Sequence, residues 1–192
     1  MTAPLLRMDK VTCVSLQQVA SLVKAKRKDM LIVAYSQQYL SWLADVRTSD
    51  YQGGHIRGSV NLSSRLFESN ISIRSIIESQ IKPRIENDAL SLVVLHCMRS
   101  QYRGPFAASS LETHPNFPRD KVKVAVLEGG YRLWRKTFEG TKDEHDMIEY
   151  DNEADKRMDA SKVKGVARSD GDEFDKVEEQ HSVEIREQAS KQ

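Results

Sequence analysis

The residues best suited to chemistry lie in segment 96–105, where Cys97 is followed six positions later by Arg103. The apolar run Leu90–Leu95 predicts a buried strand directly before them, and Gly104-Pro105 predicts a helix start directly after. A loop between strand and helix brings backbone N–H groups together at the positive end of a helix dipole, where anions bind. The same field stabilises a thiolate, so we expect Cys97 to be an ionised nucleophile.

Arg103 follows at a distance from which a curled loop returns towards the sulfur. Its planar guanidinium can hold two oxygens of a phosphate. We therefore predict Cys97 and Arg103 as catalytic residues, with the amides between them as the oxyanion cradle. The cradle residues are Met98, Arg99, Ser100, Gln101 and Tyr102. The alternative is a packed cysteine with a surface arginine, because Cys-x5-Arg alone also occurs by chance.

Apolar runs and helical stripes alternate along the chain, which predicts an α/β fold with a mostly parallel sheet. Strands are predicted at Lys10–Val14, Met30–Val33, Val60–Leu62, Leu90–Leu95 and Val122–Leu127, with a short apolar piece at Leu43–Arg47 that ends in a polar turn. Helices are predicted at Ser15–Lys26, Arg65–Ile81, Gly104–Glu112 and Tyr131–Phe138. Such sheets bind ligands beyond the carboxyl ends of their strands, where the Cys97 loop lies.

Charge divides the 192 residues into two parts. Residues 1–140 hold 20 Lys and Arg against 12 Asp and Glu, whereas residues 141–192 hold 9 against 16. We predict one domain at 8–140 and a charged, disordered tail at 141–192, where too few apolar residues remain to offset the ordering entropy. The start shows no secretory signal, and no apolar run is long enough to cross a bilayer.

Two cysteines, Cys13 and Cys97, without a Cys-x-x-Cys pair argue against a disulfide framework and a zinc site. The histidines His55, His114, His145 and His181 also lack ligand spacing. We therefore expect no metal or other cofactor, and neither a nucleic-acid nor a membrane partner. A lone reactive thiol fits a reducing compartment, so we expect the protein in the cytoplasm, the nucleus or both. We also expect it to be a monomer.

Two further segments carry a resemblance to a known superfamily. Residues 45–61, DVRTSDYQGGHIRGSVN, resemble the first signature of rhodanese-like domains, and residues 127–134, LEGGYRLW, resemble their final strand-to-helix signature. The Cys97 loop is one residue longer than in sulfur-transferring rhodaneses. Its pattern His-Cys-x-x-Ser-x-x-Arg-Gly-Pro resembles M-phase inducer (cell-division-cycle) phosphatases and eukaryotic arsenate reductases. A tetrahedral phosphate or arsenate needs a wider ring of amides than a sulfur atom, so the loop length favours phosphoryl or arsenate chemistry.

The resemblance implies a rhodanese-like fold, with a central sheet flanked by helices, and a protein phosphatase acting on phosphotyrosine or with dual specificity. Cys97 would form a phosphocysteine that water hydrolyses, and the partner would be a phosphoprotein or a small oxyanion. His96 and Asp45 would play supporting roles. The alternatives are an arsenate reductase supplied with electrons by glutathione or glutaredoxin, a non-enzymatic rhodanese-like binding module, and sulfur transfer.

Several positions depart from the phosphatase pattern. Val46 stands where M-phase inducer phosphatases have a second, protective cysteine, and Tyr102 stands where they have a glutamate. The general acid is therefore unidentified: Asp45 and Glu128 are candidates, although structural pairing is the stronger interpretation of both. Arg99 adds a positive charge that either favours an acidic or phosphorylated partner or is simply solvated.

One segment interrupts the expected order of elements. In related proteins the apolar strand runs straight into Asp-x-Arg, whereas here residues 34–44, AYSQQYLSWLA, separate Met30–Val33 from Asp45. We interpret residues 34–44 as a surface insertion or a retained short intron. Its aromatic and apolar side chains, Tyr35, Tyr39, Leu40 and Trp42, are then expected to be exposed and to offer a partner-binding patch.

Overall fold

A computed structural model describes residues 11–26 and 40–150, and a five-stranded parallel sheet forms its centre. These residues contain seven strands: β1 (Cys13–Val14), β2 (Leu40–Asp45), β3 (His55–Ile56), β4 (Val60–Asn61), β5 (Leu90–His96), β6 (Lys123–Leu127) and β7 (Ile148–Glu149). The central order is β1-β6-β5-β2-β4, and every pair of neighbours is parallel. The short strands β3 and β7 pair separately and antiparallel. The predicted mostly parallel α/β sheet is confirmed.

Within the part of the chain that the structure describes, six α-helices flank this sheet: α1 (Leu16–Lys26), α2 (Asn70–Ile76), α3 (Lys82–Asp88), α4 (Arg103–Thr113), α5 (Gly130–Phe138) and α6 (Glu144–Met147). The predicted capping box opens α1, because the Ser15 N–H donates to Gln18 Oε1 at 2.8 Å and the Gln18 N–H donates to Ser15 Oγ at 3.3 Å. The helix predicted to stop near Pro83 instead continues to Asp88. A π-helical turn, Ile77–Ile81, precedes Pro83, which lies in the first turn of α3.

Apolar side chains form a core on each face of the sheet. Successive residues of a strand point to opposite faces, so Val93 and Leu95 belong to one buried cluster and Val94 to the other. The first cluster includes Ile73 of α2 and Leu111 of α4. The second is built by α1, α5 and α6. Helices on both faces are the usual arrangement that buries a parallel sheet.

The interpretation of residues 34–44 as a surface insertion is wrong for residues 40–44. These residues form β2, which lies between β5 and β4 in the sheet. Trp42 and Leu43 are only 4% and 5% exposed, so Trp42 belongs to no surface patch. An apolar strand does run straight into Asp45, but it is this one, because LSWLA itself has the composition of a buried strand. The remaining part, with the predicted strand Met30–Val33, lies outside the described residues.

The predicted domain end at residue 140 is also wrong. Residues 141–150 continue the fold through α6 and β7, and β7 pairs with β3. Met147 and Ile148 are essentially fully buried, and the Trp134 indole donates to the Met147 carbonyl at 3.0 Å. Two adjacent apolar residues are too short a signal to predict this docking from sequence. The rest of the predicted tail, 151–192, lies outside the described residues.

Candidate active site

The Cys97 loop leaves the carboxyl end of β5 and curls back onto its own start. The Ser100 N–H points at Cys97 Sγ at 3.2 Å, and Ser100 Oγ accepts from the Cys97 N–H at 3.4 Å. Ser100 adopts a left-handed conformation with φ of 57° to make this turn. A Cβ built on Gly104 would lie 3.7 Å from the Cys97 nitrogen, so the first turn of α4 returns to the sulfur end of the loop. The loop therefore closes on its own start, with one main-chain N–H, that of Ser100, pointing at the sulfur.

The other predicted cradle residues occupy distinct surroundings. Met98 is half-buried against the second core, Arg99 is half-buried, and Gln101 is exposed. Tyr102 precedes α4, and its carbonyl accepts from the Phe106 N–H at 2.8 Å. The structure thus brings the loop residues into one turn around Cys97, and their roles in binding stay predictions.

Gly129-Gly130 supports the loop from the neighbouring strand end. The Tyr131 and Arg132 N–H groups donate to the carbonyls of Cys97 and Met98 at 2.9 and 2.8 Å. A Cβ on Gly130 would overlap the Cys97 carbonyl oxygen, and Gly130 has a φ of 57°. Only glycine allows this close approach of two backbones. The second signature of the sequence therefore supports the Cys97 loop.

A fully buried group of charges lies behind the loop. Arg47 binds Asp45 through Nε at 2.9 Å and NH2 at 2.7 Å, and neither side chain is exposed to solvent. His96 Nε2 lies 3.8 Å from Asp45 Oδ2. Burial lowers the pKa of His96 below its ordinary value, although the Asp45 charge opposes the shift, so the imidazole is neutral. Asp45 is therefore committed to Arg47, as the structural interpretation of this residue predicted.

Asp50 is the acidic partner of the loop arginine, and sequence reasoning missed it. Arg103 NH1 and NH2 donate to Asp50 Oδ1 and Oδ2 at 2.7 and 2.8 Å. Burial favours the neutral carboxyl, but the hydrogen bond and charge of Arg103 outweigh it and hold the pKa of Asp50 below its ordinary value. The signal available was position: Asp50 follows β2 within the first signature, and the carboxyl ends of β2 and β5 are level, with Asp45 opposite His96.

Thiol chemistry at this site depends on one sulfur. Cys97 is buried and Cys13 is exposed, and both are free thiols. Val46, at the position of the second cysteine in M-phase inducer phosphatases, is fully buried in the same cluster as Cys97. Across residues 11–26 and 40–150, no three His, Cys, Asp or Glu side chains come together as a metal site. In the same ranges, no helix is both long enough and apolar enough to span a membrane.

Comparison with protein families adds a decisive observation. The model of the rhodanese-like domain matches residues 19–137, well over half of the chain. The chain belongs to the rhodanese-like domain family. The two sequence signatures and the Cys97 loop of this rhodanese-like protein all lie within the matched range.

Two curated relatives carry phosphatase names. The chain is 32% identical over 98 residues to the CDC25-like phosphatase YCH1 of Saccharomyces cerevisiae, covering 50% of this chain and 66% of that protein. It is 31% identical over 126 residues to the dual specificity phosphatase ibp1 of Schizosaccharomyces pombe, covering 57% of this chain and 83% of that protein.

Solved structures share the fold at lower identity. Saccharomyces cerevisiae Ygr203w, described as a homolog of single-domain rhodanese and the Cdc25 phosphatase catalytic domain, has a TM-score of 0.58 at 23% identity and covers 76% of this chain and 91% of its own. The As-Sb reductase of Leishmania major has a TM-score of 0.50 at 15% identity, and the match covers 78% of this chain and 99% of that protein. One scaffold therefore occurs in proteins with different names, and the site must decide between activities.

Proposed function

We propose that this rhodanese-like protein is a cysteine-dependent protein phosphatase that acts on phosphotyrosine or has dual specificity. The observation that carries the proposal is the curled loop, in which the Ser100 main-chain nitrogen lies 3.2 Å from Cys97 Sγ and Arg103 follows six positions after the cysteine. The phosphatase names of the two curated relatives support it.

The reaction would proceed in two displacements at phosphorus. The Cys97 thiolate attacks phosphorus in line, the S–P bond forms as the P–O ester bond breaks, and the leaving oxygen takes a proton from water. A water molecule then attacks the phosphocysteine, which releases phosphate and returns the thiolate. The loop amides and the Arg103 guanidinium stabilise the charge on the equatorial oxygens in both steps.

The acidic residues near the loop favour an aryl substrate. Asp45 is buried and bound to Arg47, and Asp50 is bound to Arg103, so neither is a ready proton donor. Glu128 is exposed at the end of β6. A phenolate, whose conjugate phenol has a pKa of about 10, is a weaker base than an alkoxide. It therefore needs less help from a proton donor when it leaves phosphorus. Phosphotyrosine is therefore the preferred substrate class.

Arsenate reduction is the second candidate, favoured by the absence of a thiol at buried Val46. Cys97 would form an S–As bond with arsenate as water leaves. The sulfur of glutathione would then attack Cys97 Sγ, and the S–As electron pair would reduce As(V) to As(III). The resulting mixed disulfide would be reduced by glutaredoxin or by a second glutathione.

The proposal extends to the setting of the protein. A nucleophile that works as a free thiol needs a reducing compartment, which favours the cytoplasm, the nucleus or both. We propose that the chain acts there as a monomer, on a phosphoprotein or a small oxyanion, without a cofactor beyond the thiol donor that arsenate reduction requires.

The proposal is tested by measuring turnover in the Cys97→Ser variant. Cys13→Ser, which removes the other thiol, is the matched control. We expect wild type and Cys13→Ser to hydrolyse an aryl phosphate and a phosphotyrosine peptide, and Cys97→Ser to lose at least about 10³-fold in kcat. Acid quenching with ³²P-labelled substrate should trap labelled protein only when Cys97 is present.

Three other outcomes would overturn the phosphatase proposal. Glutathione-dependent formation of arsenite without aryl phosphate hydrolysis would indicate the reductase. Transfer of sulfur from thiosulfate to cyanide, without either activity, would indicate a sulfurtransferase. No activity above that of Cys97→Ser in any assay would indicate the binding module.

A further inference from the structure

Asp50 holds the guanidinium of Arg103 along one edge. The contacts NH1–Oδ1 and NH2–Oδ2, at 2.7 and 2.8 Å, form a two-point fork, which fixes the plane of the guanidinium as well as its position. The two side chains are largely enclosed, with 12% of Arg103 and 28% of Asp50 exposed. The pair is therefore better shielded than an ordinary surface ion pair.

Asp50 is itself held by the buried charges behind the loop. Its Oδ1 accepts from the Thr48 N–H at 3.0 Å, and its backbone carbonyl accepts from Arg47 NH1 at 3.1 Å. Arg47 is anchored on fully buried Asp45. A continuous set of hydrogen bonds thus runs from the end of β2 through Asp50 to the first residue of α4.

A carboxylate beside an anion-binding arginine has opposing effects. Its charge cancels part of the attraction for an incoming oxyanion, which weakens ground-state binding. Its two hydrogen bonds restrict a side chain that otherwise samples many rotamers, which favours a reaction that needs one orientation. A guanidinium has five N–H donors in a plane, and the edge that contains Nε is distinct from the NH1–NH2 edge that Asp50 holds.

We propose that Asp50 is a positioning residue, whose carboxylate fixes the NH1–NH2 edge of Arg103 and thereby the plane in which the guanidinium meets the equatorial oxygens of the transition state. This inference rests on the proposed function. Asp50 does not touch the substrate and transfers no proton; it acts through Arg103. The Asp50 charge weakens binding of the oxyanion in the ground state, while its hydrogen bonds hold Arg103 in one orientation.

Asp50→Asn separates orientation from charge. We expect kcat for an aryl phosphate to fall roughly 10- to 100-fold, while inhibition by inorganic phosphate is unchanged or several-fold tighter because a negative charge has gone. Asp143→Asn removes the carboxylate of the Lys24–Asp143 ion pair, which is 2.9 Å long and lies outside the loop, and should change neither value. Asp50→Glu should recover part of kcat. A rise in kcat would show that Asp50 only obstructs Arg103 and would overturn the proposal.

Leaving groups and a double-mutant cycle exclude the other roles. A positioning residue lowers kcat equally for aryl phosphates with acidic and with basic phenols, whereas loss of a general acid penalises the basic phenols more. In an Arg103→Lys background, which lacks the fork, Asp50→Asn should have little further effect on kcat. A greater loss with basic phenols, or full additivity in the double variant, would contradict the proposal.

Orthovanadate gives a readout that does not need turnover, because it binds thiolates in the five-coordinate shape of the transition state. Protection of Cys97 against iodoacetamide gives dissociation constants for vanadate and phosphate, and reversal by EDTA excludes oxidation of the cysteine. In Asp50→Asn, we expect vanadate to bind more weakly while phosphate does not. If wild type lacks turnover but shows this split, the proposed function fails and the role of Asp50 stands. Equal changes for both anions would overturn that role.

Discussion

Two arginine–aspartate pairs lie beside the same loop, and their shortest contacts are equal at 2.7 Å. Arg47 and Asp45 are not exposed at all, whereas Arg103 and Asp50 retain 12% and 28% of their side-chain exposure. A fully buried charge cannot leave its partner without a large desolvation cost, so the Arg47 pair can only serve as a scaffold. The Arg103 pair lies at the start of α4 beside the Cys97 loop, where the proposed function requires an arginine to meet an anion. The two pairs therefore differ in solvent exposure and in position relative to the Cys97 loop, and not in contact distance.

The largest effect that would test this comparison is on stability. Arg47→Met leaves the Asp45 carboxylate buried without its cation, which should cost about 3–5 kcal/mol of unfolding free energy. Urea unfolding at neutral pH measures it. Lys82→Met, which breaks the exposed pair with Glu78, is the control and should change stability little. An Arg47 variant as stable as this control would remove the distinction between the two pairs.

The next effect is on activity, and it falls on the other pair. Arg103→Lys keeps the charge but loses the planar fork, so we expect kcat/KM for an aryl phosphate to fall about 10²- to 10³-fold. The midpoint of thermal unfolding should move far less than in Arg47→Met, because both partners remain partly hydrated. Comparable losses of stability in the two variants would show that both pairs are structural.

The smallest effect is a difference in pH dependence. The pKa of His96 is lowered by burial, so this imidazole binds a proton near pH 6.5 in the unfolded chain but stays neutral there in the folded protein. Stability should therefore decline as pH falls below about 6.5, by at most about 1.4 kcal/mol per pH unit for this group. The pKa of Asp50 is lowered by Arg103, so its contribution is complete above about pH 4 and is lost only as pH falls through the lowered value.

Thermal unfolding between pH 7 and 5 measures this difference. His96→Gln should unfold with a shallower dependence on pH than wild type, while Asp50→Asn should keep the wild-type slope, because Asp50 stays ionised throughout this range. Identical slopes for wild type and His96→Gln would contradict the assignment of a neutral, buried imidazole.

Several elements around Cys97 were predicted correctly, because each carried a local signal. The run Leu90–Leu95, the capping box at Ser15 and the stripe of α5 all show periodicity or pairing within a few residues. β2 was predicted only in part, because its end lies in the apolar piece Leu43–Arg47 while residues 40–42 were assigned to an insertion. Local patterns do not show which short apolar run joins the sheet.

The strand-to-helix position of the Cys97 loop could be predicted, but the residues that support the loop could not. The contact of Gly130 with the Cys97 carbonyl joins residues 33 positions apart, and the Asp50–Arg103 pair joins residues 53 positions apart. Asp50 stands within the first signature, but among the 28 acidic residues of the chain nothing local shows that this one meets Arg103. Its role depends on the level register of β2 and β5, which only the sheet establishes.

Covalent spacing and local backbone preference already place a cysteine and an arginine in one strand-to-helix turn, so the amino-acid order alone predicts this feature. The charges that surround the turn come from distant segments, and folding brings them there. Asp45 became a buried scaffold and Asp50 the partner of Arg103 because parallel strands align their carboxyl ends, and burial then set the strength of each charge.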